Sequence, residues 1–511
     1  MGLGSAYEIA AWLAFYVVAF TLTELFSHGT GNLHNDTLEA YAWGQELQLG
    51  YSKHPPFWAW VTYGWFRIFP TADWAAYLLG SVNADIGLGC SWLIGRRFLS
   101  DERATGAFLC LLVTTSYICF AQRFNANTVL LSLWPATTLA VLRAVERDRL
   151  RDGFAAGLLV AFCMLSKYQS SIFLATLLAA VYFLKHSARP YYSRAALICY
   201  AAAAIGVVPH LIWLQQNDYL PLRYMRVTTL RGFPTVVRES IVFVLASAGY
   251  MAPAMILYQW AGRAQWRRLV RALASGFRDK RLPLAIVTFG AAALTIAICL
   301  IRSGTVKTTY AIPMYFMLPF WLAMAPDLPF SAVALRRLRL VVAGILFACL
   351  AAAPLIGLVS FKLSTRLATR PKDEIVDAVT DAWHRHYGKP LRIVGGDEDY
   401  AISAPFYSDD HPSYLIGLDQ RALDEFHLPM SQGPADFVPR LSPWVTAADI
   451  ERDGLAIICS DEHWDWSTGC EAQAAKWLGD RGIELKMIAS EKDSLFPGLP
   501  YRFKIFFIPP K

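Results

Sequence analysis

Charged residues are scarce in this chain. Asp, Glu, Lys and Arg make up 17% of its 511 residues, against roughly a quarter of an ordinary soluble domain. Apolar runs near the roughly 20 residues that cross a bilayer recur up to position 360, and the composition then becomes that of a soluble protein. With 55% hydrophobic residues and a mean hydropathy of +0.34, the sequence excludes a wholly soluble protein. It predicts a polytopic α-helical membrane protein with a C-terminal soluble α/β domain.

A signal peptide and a cysteine framework are also missing. The first apolar run, EIAAWLAFYVVAFTLTELF, has no basic segment before it and no small-residue cleavage site, so we expect a retained span. Seven of the nine cysteines lie in apolar segments, where cysteine is usually a small hydrophobe. The other two, Cys459 and Cys470, lie in the soluble tail, where they form a disulfide if the tail faces an oxidising compartment.

The positive charge is unevenly distributed. The formal net charge of +7 is concentrated in the loops RRFLSDER, RAVERDRLRD, KHSARPYYSR, GRAQWRRLVRALASGFRDKR and RRLRL. These loops alternate with less basic ones, as cytoplasmic loops do under the positive-inside rule. We therefore interpret the charge as a topology signal rather than a nucleic-acid-binding surface. The N-terminus is expected inside the cell and the C-terminal domain outside.

About eleven transmembrane helices are predicted on this topology. They fall near residues 6–24, 73–95, 104–122, 128–145, 154–168, 170–184, 195–214, 240–260, 283–301, 308–325 and 339–360. The transmembrane domain covers residues 1–360, with loop helices near 33–70 at the outer face, and the soluble domain covers residues 361–511. In the soluble domain LRIVGG, GLAIICS and YRFKIFFIPP predict strands, and CEAQAAKWLGDRG predicts an amphipathic helix. The acidic run GGDEDY follows a strand, but such turns are common and we predict no catalytic role for it.

Polar residues gather at the outer ends of the predicted spans. They are Arg123 and Asn127, Lys167 and Tyr168, Arg223 and Arg226, and Arg302, Lys307 and Tyr310. The outer loop QQNDYLPLRYMRVTTLRGFPTVVRES is rich in arginine, against the positive-inside trend. A bound phosphate gives one reason for this, and pairing with lipid headgroups gives another. For Lys167 the alternative is a lysine that snorkels from a span end.

The stretch NDTLEAYAWGQELQLGYSKHPPFWAW is rich in acids and aromatics. Asp36 and Glu39 lie at its start, ahead of Lys53, His54 and a proline pair. A carboxylate beside cationic groups suits deprotonation of an acceptor hydroxyl, and basic side chains suit a phosphate leaving group. From the residues alone, the alternative is that Asp36 is the N-cap of a helix beginning near Thr37, with Glu39 in a capping box. The aromatics of PFWAWVTYGWFRIF predict a helix at the level of the lipid headgroups.

Three segments, in order, resemble a known superfamily. The first, D…YAWGQELQLGYSKHPPFWAW, is similar to the first outer loop of the protein O-mannosyltransferase/aminoarabinose-transferase superfamily, where many bacterial members read DEAxYWxWSQxLxLGYxDHPP. FNANTVLLSLWP and GLLVAFCMLSKYQS resemble a later outer loop and a GLxxLSKY segment of that superfamily. The resemblance covers the first 185 residues and is strongest to the bacterial branch that decorates lipopolysaccharide, which includes galacturonosyltransferases. It implies the glycosyltransferase C fold and a polyprenyl-phosphate sugar donor.

The resemblance also implies roles for residues of the first loop. Asp36 matches the family's proposed catalytic base. Thr37 stands where the family has a second acid, and we expect Glu39, one helical turn further on, to substitute for it. His54 matches a basic position that lies near the lipid phosphate in relatives.

Two positions depart from the family pattern. Lys53 and Asn127 stand where relatives have acids, and those positions take part in binding a divalent cation in some of them. We therefore expect metal-independent transfer without a cofactor, in which basic side chains meet the phosphate charge. Lys167 matches the lysine of the SKY segment, and Lys307 and Tyr310 start a late span in the region where relatives contact the donor phosphate.

With the resemblance, these features imply a glycosyltransferase of the bacterial inner membrane, and the mechanism of the family that it resembles implies inversion. It would move a sugar from polyprenyl phosphate to a hydroxyl of lipopolysaccharide core or lipid A on the periplasmic face, and the outer arginines suit the carboxylate of a uronic acid such as galacturonic acid. The alternative acceptor is a protein or another envelope glycan. The alternative class is a flippase or transporter of lipid-linked sugars, but the polar residues cluster at the outer span ends and no inverted repeat is detected. For the soluble domain, acceptor recognition and a lid over the cavity are both open.

Overall fold

The computed structural model describes residues 3–29, 31–229, 231–262, 266–277, 279–325, 331–363, 372–416, 441–460, 470, 474, 483–490 and 501–511. The chain divides into two compact units. Unit 1 comprises Met1–Thr23, Tyr77–Ile212 and Thr229–Ala352. Unit 2 comprises Glu24–Ala76, Trp213–Thr228 and Ala353–Lys511, so the first loop and the C-terminal domain belong to the same unit.

Helices form most of the chain. They are α1 (Leu3–His28), α2 (Asn35–Glu46), α3 (Phe57–Phe66), α4 (Asp73–Gly95), α5 (Asp101–Leu112), α6 (Leu130–Arg147), α7 (Leu150–Ser166), α8 (Ser170–Lys185), α9 (Arg194–Gln216), α10 (Leu220–Thr229), α11 (Phe233–Gly262), α12 (Trp266–Ser275), α13 (Leu282–Arg302), α14 (Leu318–Ala323), α15 (Ala332–Leu363), α16 (Lys372–Tyr387), α17 (Glu398–Ala401), α18 (Ala404–Tyr407) and α19 (Ala447–Asp453). Short 3₁₀ helices lie at Arg189–Tyr192, Asp279–Arg281 and Thr308–Ala311, and a π-helical turn lies at Ser116–Phe120.

Six helices within the described ranges are long and apolar enough to cross a membrane by length and composition. They are Ser5–His28, Asp73–Gly95, Arg194–Gln216, Phe233–Ala261, Leu282–Arg302 and Ala332–Val359. Two predicted spans are not continuous helices. The span predicted at 104–122 consists of α5, a turn and the π-helical turn, and the span predicted at 308–325 consists of a 3₁₀ helix, turns and α14. Both segments have a high hydropathy because their side chains are apolar. Hydropathy does not depend on backbone hydrogen bonding, so it cannot show where a helix is interrupted.

Helices of unit 1 approach one another closely at small residues. A side chain at Gly87 of α4 would overlap the backbone at Leu131 of α6, and one at Gly157 of α7 would overlap the backbone at Cys199 of α9. Membrane helices commonly pack this way, because small residues allow close backbone contact where lipid offers no hydrophobic drive. The predicted division between the spans 154–168 and 170–184 is confirmed, since α7 ends at Ser166 and α8 begins at Ser170.

The C-terminal part of unit 2 contains a five-stranded mixed sheet. Its strands are β1 (Ile393–Gly396), β2 (Ser413–Leu415), β3 (Leu455–Ser460), β4 (Ile483–Ser490) and β5 (Tyr501–Ile508), in the spatial order β2-β1-β3-β5-β4. β1 pairs with β2 and β3 in parallel, and β5 pairs with β3 and β4 antiparallel. The predicted strands in LRIVGG, GLAIICS and YRFKIFFIPP are therefore confirmed. Most of the helix predicted in CEAQAAKWLGDRG lies outside the described residues.

Both faces of the sheet are covered by apolar side chains. On one face, Trp383 of α16 is fully buried against Ile458 and Phe507. On the other face, Ile457 packs with a cluster that contains Cys459 and Cys470. These two cysteines form a disulfide. The sequence predicted this bond for a domain that faces an oxidising compartment, and the compartment itself stays a prediction.

The first loop of unit 2 has its own aromatic core. Trp43 of α2 stacks on Tyr51 at 4.8 Å between ring centroids, and the Tyr51 hydroxyl donates to the Trp43 carbonyl at 2.5 Å. Trp43, Tyr51 and Trp58 are fully buried. The predicted helix is confirmed as α3, within which Trp58 packs inward and donates to the Pro55 carbonyl. Its location at the lipid headgroups stays a prediction. Gly44 lets α3 approach α2, because a Cβ there would lie 2.6 Å from the Ala59 carbonyl oxygen.

Candidate active site

The N-terminus of α2 carries the predicted catalytic base. His34 is the N-cap of this helix, and its Nδ1 accepts a hydrogen bond from the backbone N–H of Asp36 at 3.2 Å. Asp36 is the second residue of the helix, and Glu39 is the fifth. The alternative in which Asp36 is the N-cap and Glu39 completes a capping box is therefore wrong: the cap is a histidine imidazole two residues earlier.

Asp36 and Glu39 lie in different environments. The Asp36 side chain is 48% exposed, and its carboxylate lies 3.9 Å from His34 Nδ1. In the first turn of a helix its negative charge also interacts favourably with the helix dipole. Glu39, one turn further on, is buried. A solvent-accessible carboxylate can receive a proton from a substrate, whereas a buried one depends on the side chains around it.

Two further side chains complete what we term the loop cluster: Asp36, Glu39, Lys53 and Glu398. Lys53 Nζ lies 3.6 Å from Glu39 Oε1 and 2.8 Å from Glu398 Oε1. The side chains of Lys53, Glu39 and Glu398 are 12%, 12% and 20% exposed, so this is a largely buried ion-paired group. The pKa of Glu39 is raised to about 8, mainly because the side chain is buried; the nearby charges of Glu398 and Asp36 act in the same direction, and the ammonium of Lys53 opposes them.

His54 lies beside the loop cluster in sequence but packs with the aromatic core of the loop. Its ring meets Trp58 edge to face with 5.9 Å between centroids, and its carbonyl accepts from the backbone N–H of Tyr51 at 3.1 Å. These contacts fix the chain immediately before the proline pair. The predicted phosphate-binding role of His54 stays a prediction.

A second group, in unit 1, contains several predicted donor-binding residues. Lys167 is the residue after α7; its Nζ donates to Asn127 Oδ1 and lies 4.9 Å from the centre of the Tyr310 ring. Gln169 Nε2 donates to the Tyr310 carbonyl at 3.1 Å. We term these four residues the Lys167 cluster. The structure thus brings together three residues that the sequence analysis drew from three separate segments.

Tyr168 lies next to this cluster but points to a different partner. Its hydroxyl is 2.9 Å from Nε2 of His210, a buried histidine of α9. Arg123 is half-buried at the start of a tight loop in which Asn125 Oδ1 accepts from the backbone N–H groups of Asn127 and Thr128. That loop fixes the backbone of Asn127, which bears the acceptor for Lys167.

The remaining predicted site residues are exposed. Arg223 and Arg226 lie on α10 in unit 2, and Arg302 and Lys307 flank the segment between α13 and the 3₁₀ helix in unit 1. Glu239 of α11 holds that segment, because its Oε2 accepts from the Val306 backbone N–H at 3.0 Å. Neither the loop cluster nor the Lys167 cluster, as defined above, includes any of these four basic residues.

Metal binding has no candidate in the described parts of the chain. Within those ranges no group of three or more His, Cys, Asp or Glu side chains is placed to hold an ion. In the loop cluster the carboxylates of Glu39 and Glu398 face the ammonium of Lys53. The expectation of transfer without a metal or cofactor stays a prediction.

The sequence analysis missed the contribution of the C-terminal domain to the first loop. Glu398 lies in the run GGDEDY, for which no catalytic role was predicted, and it is 345 positions from its partner Lys53. The missed residues include Lys372 and Asp399, which contact the start of α2. The one signal in the sequence was three consecutive acids directly after a buried strand.

The chain is similar to several membrane glycosyltransferases. Residues 53–213 match the model of the dolichyl-phosphate-mannose-protein mannosyltransferase family. The lipopolysaccharide core galacturonosyltransferases RgtA and RgtB of Rhizobium johnstonii are each 24% identical to it; the matches cover 66% of this chain and 68% of RgtA, and 86% of this chain and 91% of RgtB.

Solved structures show the same fold. The crystal structure of ArnT from Cupriavidus metallidurans bound to undecaprenyl phosphate superposes with a TM-score of 0.60 at 15% identity, over 97% of this chain and 98% of that chain. The apo structure of the same protein gives 0.59 at 14% identity, over 98% of each chain. The glycosyltransferase C fold predicted from the sequence is confirmed, as is the resemblance to enzymes that use polyprenyl-phosphate sugars. The protein is a multi-pass membrane glycosyltransferase.

The buried Glu39 predicts a pH dependence of stability. Between 4.5, the ordinary pKa of a glutamate, and about 8 the folded state binds more protons than the unfolded state, so its stability falls as the pH rises through this window. The side chain of the Glu39→Gln variant cannot ionise, so this loss of stability should be absent from it. The melting temperature of the variant minus that of wild type should therefore increase between pH 5 and pH 8. Thermal unfolding of the purified protein in detergent measures this.

Glu102→Gln, which changes an exposed acid in the first turn of α5, is the control and should follow wild type across the whole range. Parallel melting curves for wild type and Glu39→Gln across the whole range would contradict the prediction.

Proposed function

We propose that this glycosyltransferase moves a uronic acid, such as galacturonic acid, from polyprenyl phosphate to a hydroxyl of lipopolysaccharide core or lipid A on the periplasmic face of the inner membrane. The observation that carries the proposal is the half-exposed Asp36 carboxylate, held at the start of α2 by the His34 cap. The similarity to the galacturonosyltransferases RgtA and RgtB supports the sugar and the acceptor class. The undecaprenyl phosphate bound to ArnT, which shares the fold, supports an undecaprenyl-type lipid carrier.

The proposed reaction is a single displacement with inversion. Asp36 accepts the proton of the acceptor hydroxyl, the oxygen attacks the anomeric carbon, and the bond from that carbon to the phosphate oxygen breaks. Both electrons of the broken bond leave with polyprenyl phosphate. A positioned base of this kind contributes about 10²- to 10⁴-fold to a rate. Basic groups that meet the charge of the departing phosphate supply further stabilisation.

The Lys167 cluster supports a role in holding the donor phosphate. The Lys167 ammonium is oriented by the Asn127 side-chain oxygen and by the face of the Tyr310 ring. An ammonium fixed in this way needs little reorganisation to meet an anion, because its rotamer freedom is already restricted. A cation over an aromatic face also keeps its charge, since that interaction is electrostatic.

The disulfide supports the proposed orientation of the C-terminal domain. Cys459 and Cys470 are joined and both are buried in one face of the sheet. Disulfides persist in the periplasm and are rare in the cytosol. A periplasmic C-terminal domain and a cytoplasmic N-terminus together fit the basic loops on the inner side.

Asp36→Asn should abolish the modification without disturbing the fold, because the helix cap is the His34 side chain. The mass of lipopolysaccharide from cells that carry wild type, no protein, or Asp36→Asn measures this. One sugar residue should vanish in both the deletion and the variant, and the lost mass names the sugar class. Glu102→Gln, which changes an exposed acid in the first turn of α5, should leave the profile of wild type. Identical masses in all strains would reject lipopolysaccharide as the acceptor.

Substitution of Arg223 or Arg226 by alanine tests the sugar. If these exposed arginines meet the carboxylate of a uronic acid, the donor KM should rise about tenfold or more for that donor. The KM for a neutral hexose donor should rise less. Arg147→Ala, at an exposed position of α6, is the control for a loss of charge alone. Equal effects on both donors would leave these arginines only a phosphate role.

A further inference from the structure

The C-terminal domain contacts the first loop at the residues that lead into α2. Lys372, the first residue of α16, is buried, and its Nζ donates to the Leu33 carbonyl at 2.7 Å and to Asn35 Oδ1 at 2.5 Å. The Asn35 amide in turn donates to Asp399 Oδ1. The backbone N–H of Leu33 donates to the Tyr407 hydroxyl at 2.9 Å. Residues on both sides of the His34 cap are thus held by side chains of the C-terminal domain.

These contacts are costly to break. A buried ammonium pays a large desolvation penalty, which the hydrogen bonds from Lys372 to the Leu33 carbonyl and the Asn35 side chain help to offset. Asp36 follows Asn35 directly. The backbone that leads into Asp36 is therefore held by the same hydrogen bonds that anchor the C-terminal domain to the loop.

A second contact reaches Glu39 through Lys53. The Lys53 ammonium lies closer to Glu398 of the C-terminal domain than to Glu39 of α2, at 2.8 Å against 3.6 Å. Glu398 is the first residue of α17, directly after the β1 strand and the turn that follows it. The C-terminal domain therefore supplies the nearer of the two carboxylates that contact the Lys53 ammonium.

Aromatic contacts extend the same interface along α2. The ring of Tyr41 packs edge to face on Phe406 of α18 with 5.0 Å between centroids. Its hydroxyl lies 3.5 Å from His411 Nδ1. The helix is thus held by the C-terminal domain at its first turn and again at its middle, both by apolar and by polar contacts.

We propose that the C-terminal domain positions the first loop for catalysis. Lys372 and Glu398 are positioning residues: they hold α2 and Lys53 in the arrangement in which Asp36 can meet the acceptor hydroxyl. This rests on the proposed function for the chemistry that the loop performs, but the ordering of the loop does not depend on it. The proposal assigns the C-terminal domain a part in the chemical step, where the sequence left acceptor recognition and a lid open.

The ordering is tested by hydrogen exchange in the full-length protein in detergent. Glu398→Gln keeps the size of the side chain and removes its charge, and Lys372→Met removes the ammonium. Each should speed exchange of the backbone amides of residues 33–46 about tenfold or more. Glu451→Gln, which breaks an exposed carboxylate–lysine pair with Lys511 in the same domain, is the matched control and should leave these amides unchanged.

Protection of β3 reports whether the C-terminal domain is still folded. If Lys372→Met loses that protection, Glu398→Gln alone decides. Unchanged exchange of residues 33–46 in Glu398→Gln, with β3 protected, would overturn the proposal whether or not the enzyme is active.

The link to the chemical step is tested by kinetics with a polyprenyl-phosphate sugar donor. A small displacement of a reacting group costs on the order of 10²-fold, so kcat of Glu398→Gln should fall by about that factor while the donor KM changes little. The double variant Lys53→Glu with Glu398→Lys restores an ion pair between loop and domain but places a carboxylate against Glu39. It should not recover kcat.

Full recovery in the double variant would show that the pair only docks the domain, and it would overturn the positioning role. Wild type that consumes no donor would reject the proposed function instead, and the exchange experiment would still decide the inference. The two failures are therefore distinguishable.

Discussion

The Lys53 ammonium between Glu39 and Glu398 is the interaction on which the candidate active site depends. It joins the helix that bears Asp36 to a domain encoded more than three hundred residues later. The three side chains are largely buried, so their mutual attraction offsets part of the desolvation penalty that each charge pays. Through this ion pair, the C-terminal domain contacts the loop that carries the proposed base Asp36.

The rest of the loop supports that arrangement. The aromatic core of Trp43, Tyr51 and Trp58 makes the loop rigid, and the His34 cap ends the irregular segment before α2. Asp36 is left half-exposed one residue beyond the anchored Asn35. A rigid scaffold with an accessible carboxylate is what a base needs, since catalytic power comes from groups already held in the reactive geometry.

Local features of the sequence predicted much of the fold. Strands β1, β3 and β5, the break between α7 and α8 and the start of a helix close to Asp36 follow from patterns that act over a few residues. The alternative that made Asp36 the N-cap was wrong, because aspartate is a preferred N-cap residue and nothing in the sequence indicated that a histidine takes this position. The interrupted segments at 104–122 and 308–325 were taken as spans because hydropathy is averaged along the sequence.

The part of the site that could not be predicted is long-range. Nothing near Glu398 in the sequence indicates that its partner is Lys53, because an ion pair across 345 positions leaves no periodicity. The resemblance of the first 185 residues indicated Asp36, Asn127 and Lys167 as candidate site residues. It ended before the C-terminal domain and so gave no information about Glu398. Only the folded structure shows that Glu398 of GGDEDY contacts Lys53 of the first loop.

The most direct test of the account is the release of polyprenyl phosphate by the purified protein in detergent, with a polyprenyl-phosphate galacturonic acid donor and lipopolysaccharide as acceptor. The account predicts release with inversion at the anomeric carbon in wild type, and release slowed by about 10²-fold or more in Asp36→Asn. No release by wild type, or equal rates in the two proteins, would contradict it. In the first case the protein is not a transferase for these substrates, and in the second Asp36 is not its base.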